Sequence, residues 1–187
     1  MTNLEFAQEL SRYYGHFKNE LILTNKSKNT IISYNTTITS FIEFINQYEK
    51  KINFRNMKKI DIMNFLEYKN QMLEKHSELK MSSKKLYVTH LKTFFIFINE
   101  NLDEDIKINT IFKLNIKVPQ RTPKGVENED VKLIENYLNN LSLTSFLNVR
   151  ASLMLKILLY SGARRSELIN LNINDFMEDN DLYIFNT

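Results

Sequence analysis

Three glycines and two prolines are all the conformational punctuation in 187 residues. Sheets joined by tight turns need both residue types at frequent intervals, so this scarcity commits the chain to long helices with few turns. The apolar pattern agrees. Over residues 3–23, Leu4, Phe6, Ala7, Leu10, Tyr13, Tyr14 and Phe17 recur with the period of one helix face. After a polar break at residues 24–29, a second helix is expected from near Thr30, capped by Asn29 or Thr30. Its stripe is Ile31, Tyr34, Ile38, Phe41, Ile42, Ile45 and Tyr48. A third helix, from Asp61 to about Lys75, turns inward Ile62, Phe65, Leu66, the stem of Lys69, Met72 and Leu73. A fourth, capped by Ser82 or Ser83 and reaching Asn99, buries Tyr87, Leu91, Phe94, Phe95 and Ile98. Phe41, Phe44, Phe94 and Phe95 sit at helical spacing with aliphatics and are assigned to the core rather than to base stacking. Four helices with short connections predict a small antiparallel bundle.

Composition narrows the function classes. With 43% apolar residues the chain can build a real core. No apolar run approaches the roughly 18 residues of a membrane span, and Met1-Thr-Asn-Leu-Glu-Phe lacks the basic-then-apolar pattern of a signal peptide. A cytoplasmic protein that does not engage a membrane is expected. The absence of cysteine removes disulfides, zinc–thiolate sites and a thiol nucleophile together. His16, His76 and His90 have no metal-ligand spacing, so neither metal nor cofactor is expected. The net charge of +3 conceals a split. Residues 1–118 hold 18 Lys and Arg against 13 Asp and Glu, a net of +5, whereas residues 119–187 hold 7 against 9, a net of −2. A basic first part suits a polyanionic partner.

The sequence divides into a helical bundle over residues 1–105, a linker over 106–124 and a second piece over 125–187. The linker follows the acidic Asp103-Glu-Asp105 and contains Pro119 and Pro123, before each of which extended backbone is favoured. Val126-Glu-Asn-Glu-Asp130 then opens a helix with Val131, Ile134, Tyr137 and Leu138 inward. An apolar helix follows, including Leu153, Met154, Leu155, Ile157, Leu158 and Leu159, and Gly162 ends it. Leu168 and Leu171 mark a second short helical segment. Between the two stand Arg164 and Arg165, with Glu167 close behind. An arginine held at a turn between helices suits bidentate contact with a carboxylate or a phosphate, and Glu167 is near enough in sequence to brace Arg164. On spacing alone, a surface ion pair capping a helix junction is the commoner reading, because such pairs are frequent and contribute little. Residues 181–187 read as a strand with nothing to pair with.

Ser161-Gly162-Ala163-Arg164-Arg165-Ser166-Glu167-Leu168, followed by Leu171 and Asp175-Phe176, resembles the first catalytic box of the tyrosine recombinases (phage integrases and Xer-type enzymes). Ser161 stands where the family has Thr, and Ala163 where it has Leu. Ser27-Lys28-Asn29-Thr30 with Tyr34 and Phe41, and Ser82-Ser83 leading to Leu91, Phe94 and Phe95, are similar to the two best-marked helices of the family's core-binding domain. The resemblance implies a mainly α chain: a SAM-like four-helix bundle, then an incomplete and mostly helical start of the catalytic domain. It implies Arg164 as the first catalytic arginine, on the scissile phosphate, and Glu167 as the carboxylate that positions it. The family cuts DNA through a tyrosine–phosphate intermediate, with positive groups around the developing charge. No His-x-x-Arg follows Arg164, and the one later tyrosine, Tyr183, lies on the expected strand. These residues by themselves are therefore expected to bind DNA and not to cleave it. The implied partner is double-stranded DNA, with self-association on it. Lys28, Lys84, Lys85 and Lys92 are the expected phosphate contacts, with Thr30 and Thr89 adding hydrogen bonds; Lys85, Thr89 and Lys92 share one helix face. Arg55, Lys58 and Lys59 form a second basic cluster. The modest net charge also accommodates a different class, a non-enzymatic helical module for a protein partner. The apolar helix at residues 151–160 is expected to lack packing partners and to leave the second piece only marginally stable.

Overall fold

Thr2 starts the first helix. Its hydroxyl accepts from the Glu5 N–H at 3.2 Å, and the Glu5 carboxylate takes the Thr2 N–H at 2.7 Å. The computed structural model describes residues 1–73, 77–101, 106–120, 125–172, 175–179 and 182–185. It divides into two units, Met1–Arg121 and Thr122–Thr187. Lys75, Asp103-Glu-Asp105 and Pro123 lie outside the described residues.

The first unit contains α1 (Asn3–Leu23), α2 (Lys28–Gln47), α3 (Lys59–Gln71), α4 (Met81–Glu100) and the short α5 (Ile108–Ile111). Side-chain contacts fix the helix directions. Asn3 reaches the Lys50 carbonyl at 3.1 Å, the Tyr14 hydroxyl donates to Asn35 Oδ1 at 2.8 Å, and Phe17 meets Tyr34 edge-on at 5.3 Å, so α1 and α2 are antiparallel. Lys69 donates to the Ser40 hydroxyl at 3.1 Å while Asn64 donates to Tyr48 at 2.6 Å, so α3 runs against α2 as well. Between α2 and α4 the order is the reverse. Tyr34 stacks on His90 at 4.1 Å and Phe41 meets Phe95 at 6.0 Å, and these two helices are parallel. Phe6, Phe17, Phe41, Phe65, Phe94 and Phe95 are fully buried between the helices.

Local chemistry shifts several boundaries from the expected ones. Ser27, not Asn29 or Thr30, caps α2, its hydroxyl accepting from Thr30 N–H at 3.1 Å. Ser82 and Ser83 lie inside the first turn of α4, whose cap residue is Lys80. The third helix ends at Gln71, which leaves Met72 and Leu73 exposed rather than inward. Leu4, at the mouth of the bundle, is also exposed. The stretch read as linker carries α5, and Ile106, Ile111 and Phe112 are buried in the bundle core. Their irregular spacing hides that burial from a periodicity reading.

The second unit contains α6 (Asn128–Asn140), α7 (Phe146–Ser161), α8 (Arg165–Asn170) and strands β1 (Phe176–Asp179) and β2 (Leu182–Phe185). Ser145 caps α7, and Gly162 ends it at φ +66°, the left-handed conformation that glycine adopts without penalty. Leu138 is buried on α6, but Tyr137, expected inward, is 59% exposed. The strand expected to be unpaired has a partner: β2 pairs antiparallel with β1, Phe176 opposite Phe185 and Asp179 opposite Leu182. The partner was not apparent because a four-residue segment with two acids carries little strand signal. Among the described residues no helix is long and apolar enough to cross a membrane.

Candidate nucleic-acid interface

Parallel packing of α2 and α4 brings two helix starts to one end of the bundle. Thr37 lies ten residues beyond the cap residue Ser27, and His90 ten residues beyond Lys80. Their side chains meet, Thr37 Oγ1 to His90 Nδ1 at 2.9 Å, so the two first turns stand level. Thr37 also donates to the Ser33 carbonyl at 3.1 Å, which makes His90 Nδ1 the donor to the Thr37 oxygen. Burial, the larger influence, lowers the His90 pKa against a smaller opposing effect of the Ser33 carbonyl, and the ring sits neutral in the seam.

Each helix start presents backbone N–H groups without intrahelical partners. Neither α2 nor α4 has an acid in its first turn, which is also true of α5 and α7, whereas α1, α3, α6 and α8 have Glu5, Asp61, Glu129 with Asp130, and Glu167. In place of acids, α2 opens on exposed Lys28, and α4 follows Lys80 with Lys84 and Lys85. The adjacent end of α1 is closed on itself: Thr24 N–H bonds Glu20 O at 2.8 Å and Lys26 N–H bonds Leu21 O at 3.0 Å, through Asn25 at φ 55°. Its carbonyls are thus partly satisfied, while at the start of α2 beside them the Ser27 hydroxyl takes the Thr30 N–H and the N–H groups of Lys28 and Asn29 remain donors.

Lys28, Thr30, Lys84 and Lys85 therefore stand at one end of the bundle, within the first two turns of neighbouring helices. Lys85 and Thr89 are exposed and Lys92 is half-buried, all on one stripe of α4. Lys84 is half-buried at the head of the adjacent stripe, which continues inward as Val88, Leu91 and Phe95. Thr30 is tied locally, 2.9 Å from the Ser27 hydroxyl. The second basic cluster is not brought to this end. Lys58 and Lys59 begin α3, which runs the other way, and Asp61 beside them is fully buried. Lys50 Nζ at 2.8 Å, the Lys58 N–H at 2.8 Å and the Tyr48 hydroxyl at 3.1 Å all donate to that carboxylate. This end is stapled rather than open. The sequence reading missed Thr37 and His90 because a buried polar pair leaves no mark in apolar periodicity; the histidine one turn before Phe94 was the available sign.

In the second unit, Arg164 precedes α8 and Glu167 lies in its first turn. The Glu167 carboxylate takes the Arg164 backbone N–H at 2.7 Å and its guanidinium Nη1 at 2.9 Å. Those two bonds, the backbone one first, hold the Glu167 carboxyl below the usual carboxylate range. One carboxylate thus anchors both ends of the arginine, and the side chain remains 83% exposed with further donors directed to solvent. Among the described residues no group of three or more His, Asp or Glu side chains is placed to hold a metal ion.

Residues 15–101 match the family of the phage integrase N-terminal SAM-like domain. Tyrosine recombinase XerH of Campylobacter jejuni is 28% identical over 176 residues, covering 87% of this chain and 47% of the relative. Tyrosine recombinase XerC of Leptospira interrogans is 30% identical over 180 residues, covering 94% of this chain and 54% of the relative. The chain spans about half the length of the curated relatives it matches. A crystal structure of the XerH site-specific recombinase bound to its palindromic difH substrate, a post-cleavage complex, shares the fold with a TM-score of 0.60 at 20% identity, over 85% of this chain and 45% of that one. By the domain match and these relatives, residues 15–101 carry an integrase N-terminal SAM-like domain, and the chain is similar over most of its length to about half of the Xer-type tyrosine recombinases.

Proposed function

We propose that the chain binds double-stranded DNA through the cationic end of its N-terminal bundle, as part of a site-specific recombinase acting in the cytoplasm and self-associating on its DNA. The observation that carries this is the charge pattern of the helix starts. A cation in the first turn is unfavourable by a few tenths of a kcal/mol up to about 1 kcal/mol, and both level turns nevertheless carry lysine with no acid. A polyanion seated there turns the penalty into an attraction, with backbone N–H groups and ammonium groups aimed at the same phosphates. XerH, whose solved structures hold difH substrate, is similar in fold. In the recombinase reaction Arg164, held from behind by Glu167, would grip the scissile phosphate through its free guanidinium edge. Glu167 would be a positioning residue.

Fluorescence anisotropy of the purified chain on a duplex of about 30 base pairs, repeated across salt, tests the proposal. Affinity should fall linearly on a log–log plot, and Lys84→Ala/Lys85→Ala should lower the slope by about one for each phosphate contact removed. Absence of binding at low salt, or an unchanged slope in the double variant, overturns it. The exposed apolar side chains of α7, among them Leu147, Leu153 and Leu155, favour a second reading as a protein-interaction module. Failure to bind any duplex would leave that one standing.

A further inference from the structure

The exposed side of α4 is not uniformly cationic. It resolves into three rows along the helix, each repeating at seven residues. Lys85 and Lys92 form one edge, Thr89 and Ile96 the centre, and Leu86 and Thr93 the other edge. Leu86 is 46% exposed and Ile96 39% exposed. The two threonines have no free donor, because Thr89 donates to the Lys85 carbonyl at 2.9 Å and Thr93 to the Thr89 carbonyl at 3.1 Å. A hydroxyl has one proton, so what these positions offer outward is methyl surface and lone pairs. α4 carries no acid until Glu100, its last residue. The exposed side of α2, by contrast, includes Glu43 and the amide Asn35, which is already engaged with Tyr14.

Such a surface is one-sided in a way that simple phosphate binding does not require. The lysine row can follow one strand, its two ammonium groups about 10 Å apart along the axis at 1.5 Å per residue. The centre and far edge then face whatever lies beside that strand, and apart from Ser82 at the head of the centre row and the threonine lone pairs they present aliphatic and methyl groups. In the major groove the one base feature that such groups recognise is the 5-methyl of thymine; the other edge positions are hydrogen-bond donors and acceptors. We infer that Leu86, Thr89 and Thr93 are specificity-determining residues that read thymine methyl groups, while Lys85 and Lys92 hold the adjacent backbone. The inference rests on the DNA-binding proposal above and names the feature of the DNA that the same surface selects.

The test selects preferred sites for the full chain from a randomised duplex library and then replaces thymine by uracil in the best site, one position at a time. Each contacted thymine should weaken binding about four-fold on loss of its methyl, the value of one buried methyl-sized group. Leu86→Ser and Thr89→Ser, the latter keeping the hydroxyl and removing only a methyl, should each abolish the uracil penalty at one position while leaving it at the others. Lys85→Ala should instead reduce the salt slope and leave the thymine-to-uracil ratios as they were. Selection without enrichment, uracil substitution without effect, or a penalty that survives in both serine variants overturns the inference and leaves DNA binding intact. Retention of no duplex at all by the wild-type chain overturns both.

Discussion

Asp61 is a carboxylate with no exposed surface, and three donors converge on it, from the Lys50 side chain, the Tyr48 hydroxyl and the Lys58 backbone. Removing the acceptor leaves those donors to find water from a partly closed site. Asp61→Ala should therefore destabilise the bundle by about 2–3 kcal/mol, below the range for a fully buried pair because Lys50 is itself 44% exposed. A urea titration should show a lower midpoint with an unchanged slope. His90 makes a different prediction. Its folded pKa is depressed by burial, so the unfolded chain binds the proton more readily. Stability from the neutral ring is then fully present above the unfolded value near 6.5 and is lost as pH falls through the folded value. Thermal melts across that window should show Tm dropping on acidification, and His90→Gln should remove that part of the drop.

At the scale of elements, the helices themselves were legible because residues such as Ile38, Phe41 and Ile45, or Leu91, Phe94 and Phe95, repeat with one period and are buried together. Their ends were less so. Ser27 rather than Thr30 caps α2, and no serine caps α4, since a cap depends on one local bond that competing polar residues could equally make. The parallel course of α2 and α4 follows from the alternating bundle that the short connections predict, but the contacts of Tyr34, Thr37 and His90 across that seam could not be read from spacing. The site shares this fate. Its lysines could be read one by one and assigned to an end by the alternation of the helices, but that the two helix starts stand level is a property of packing. Gly162 was the clearest boundary, and its positive φ gives it a testable weight. An added methyl would meet no atom within 4 Å, so Gly162→Ala carries backbone strain alone, about 1 kcal/mol. The last amides of α7 should lose roughly fivefold in hydrogen-exchange protection, with Gly162→Asn losing less.

For the molecule as a whole, burial is divided unevenly between the two units. The bundle core draws on every helix of the first unit and on the 50s loop through Ile52, Phe54 and Met57. In the second unit, α6, α7 and α8 each bury one residue, Leu138, Ser152 and Leu168. Local opening free energy follows buried apolar contact, so backbone amides of residues 146–161 should exchange at least about a hundredfold faster than those of residues 88–98. Equal protection in the two stretches would contradict this. The rings of the first unit have a further consequence. Phe6 abuts Phe54, which abuts Phe95; Phe95 touches Phe41, Phe94 and Phe112, and Phe94 touches Phe17. Several of these contacts are edge-to-face, at centroid distances where each ring occupies the space its neighbour would sweep in turning. Turning one ring therefore requires its touching neighbours to draw back. Half-turns of these phenyl groups should accordingly be slowed and coupled between touching neighbours, with Phe95 against Phe112 tying the α5 end to the bundle core.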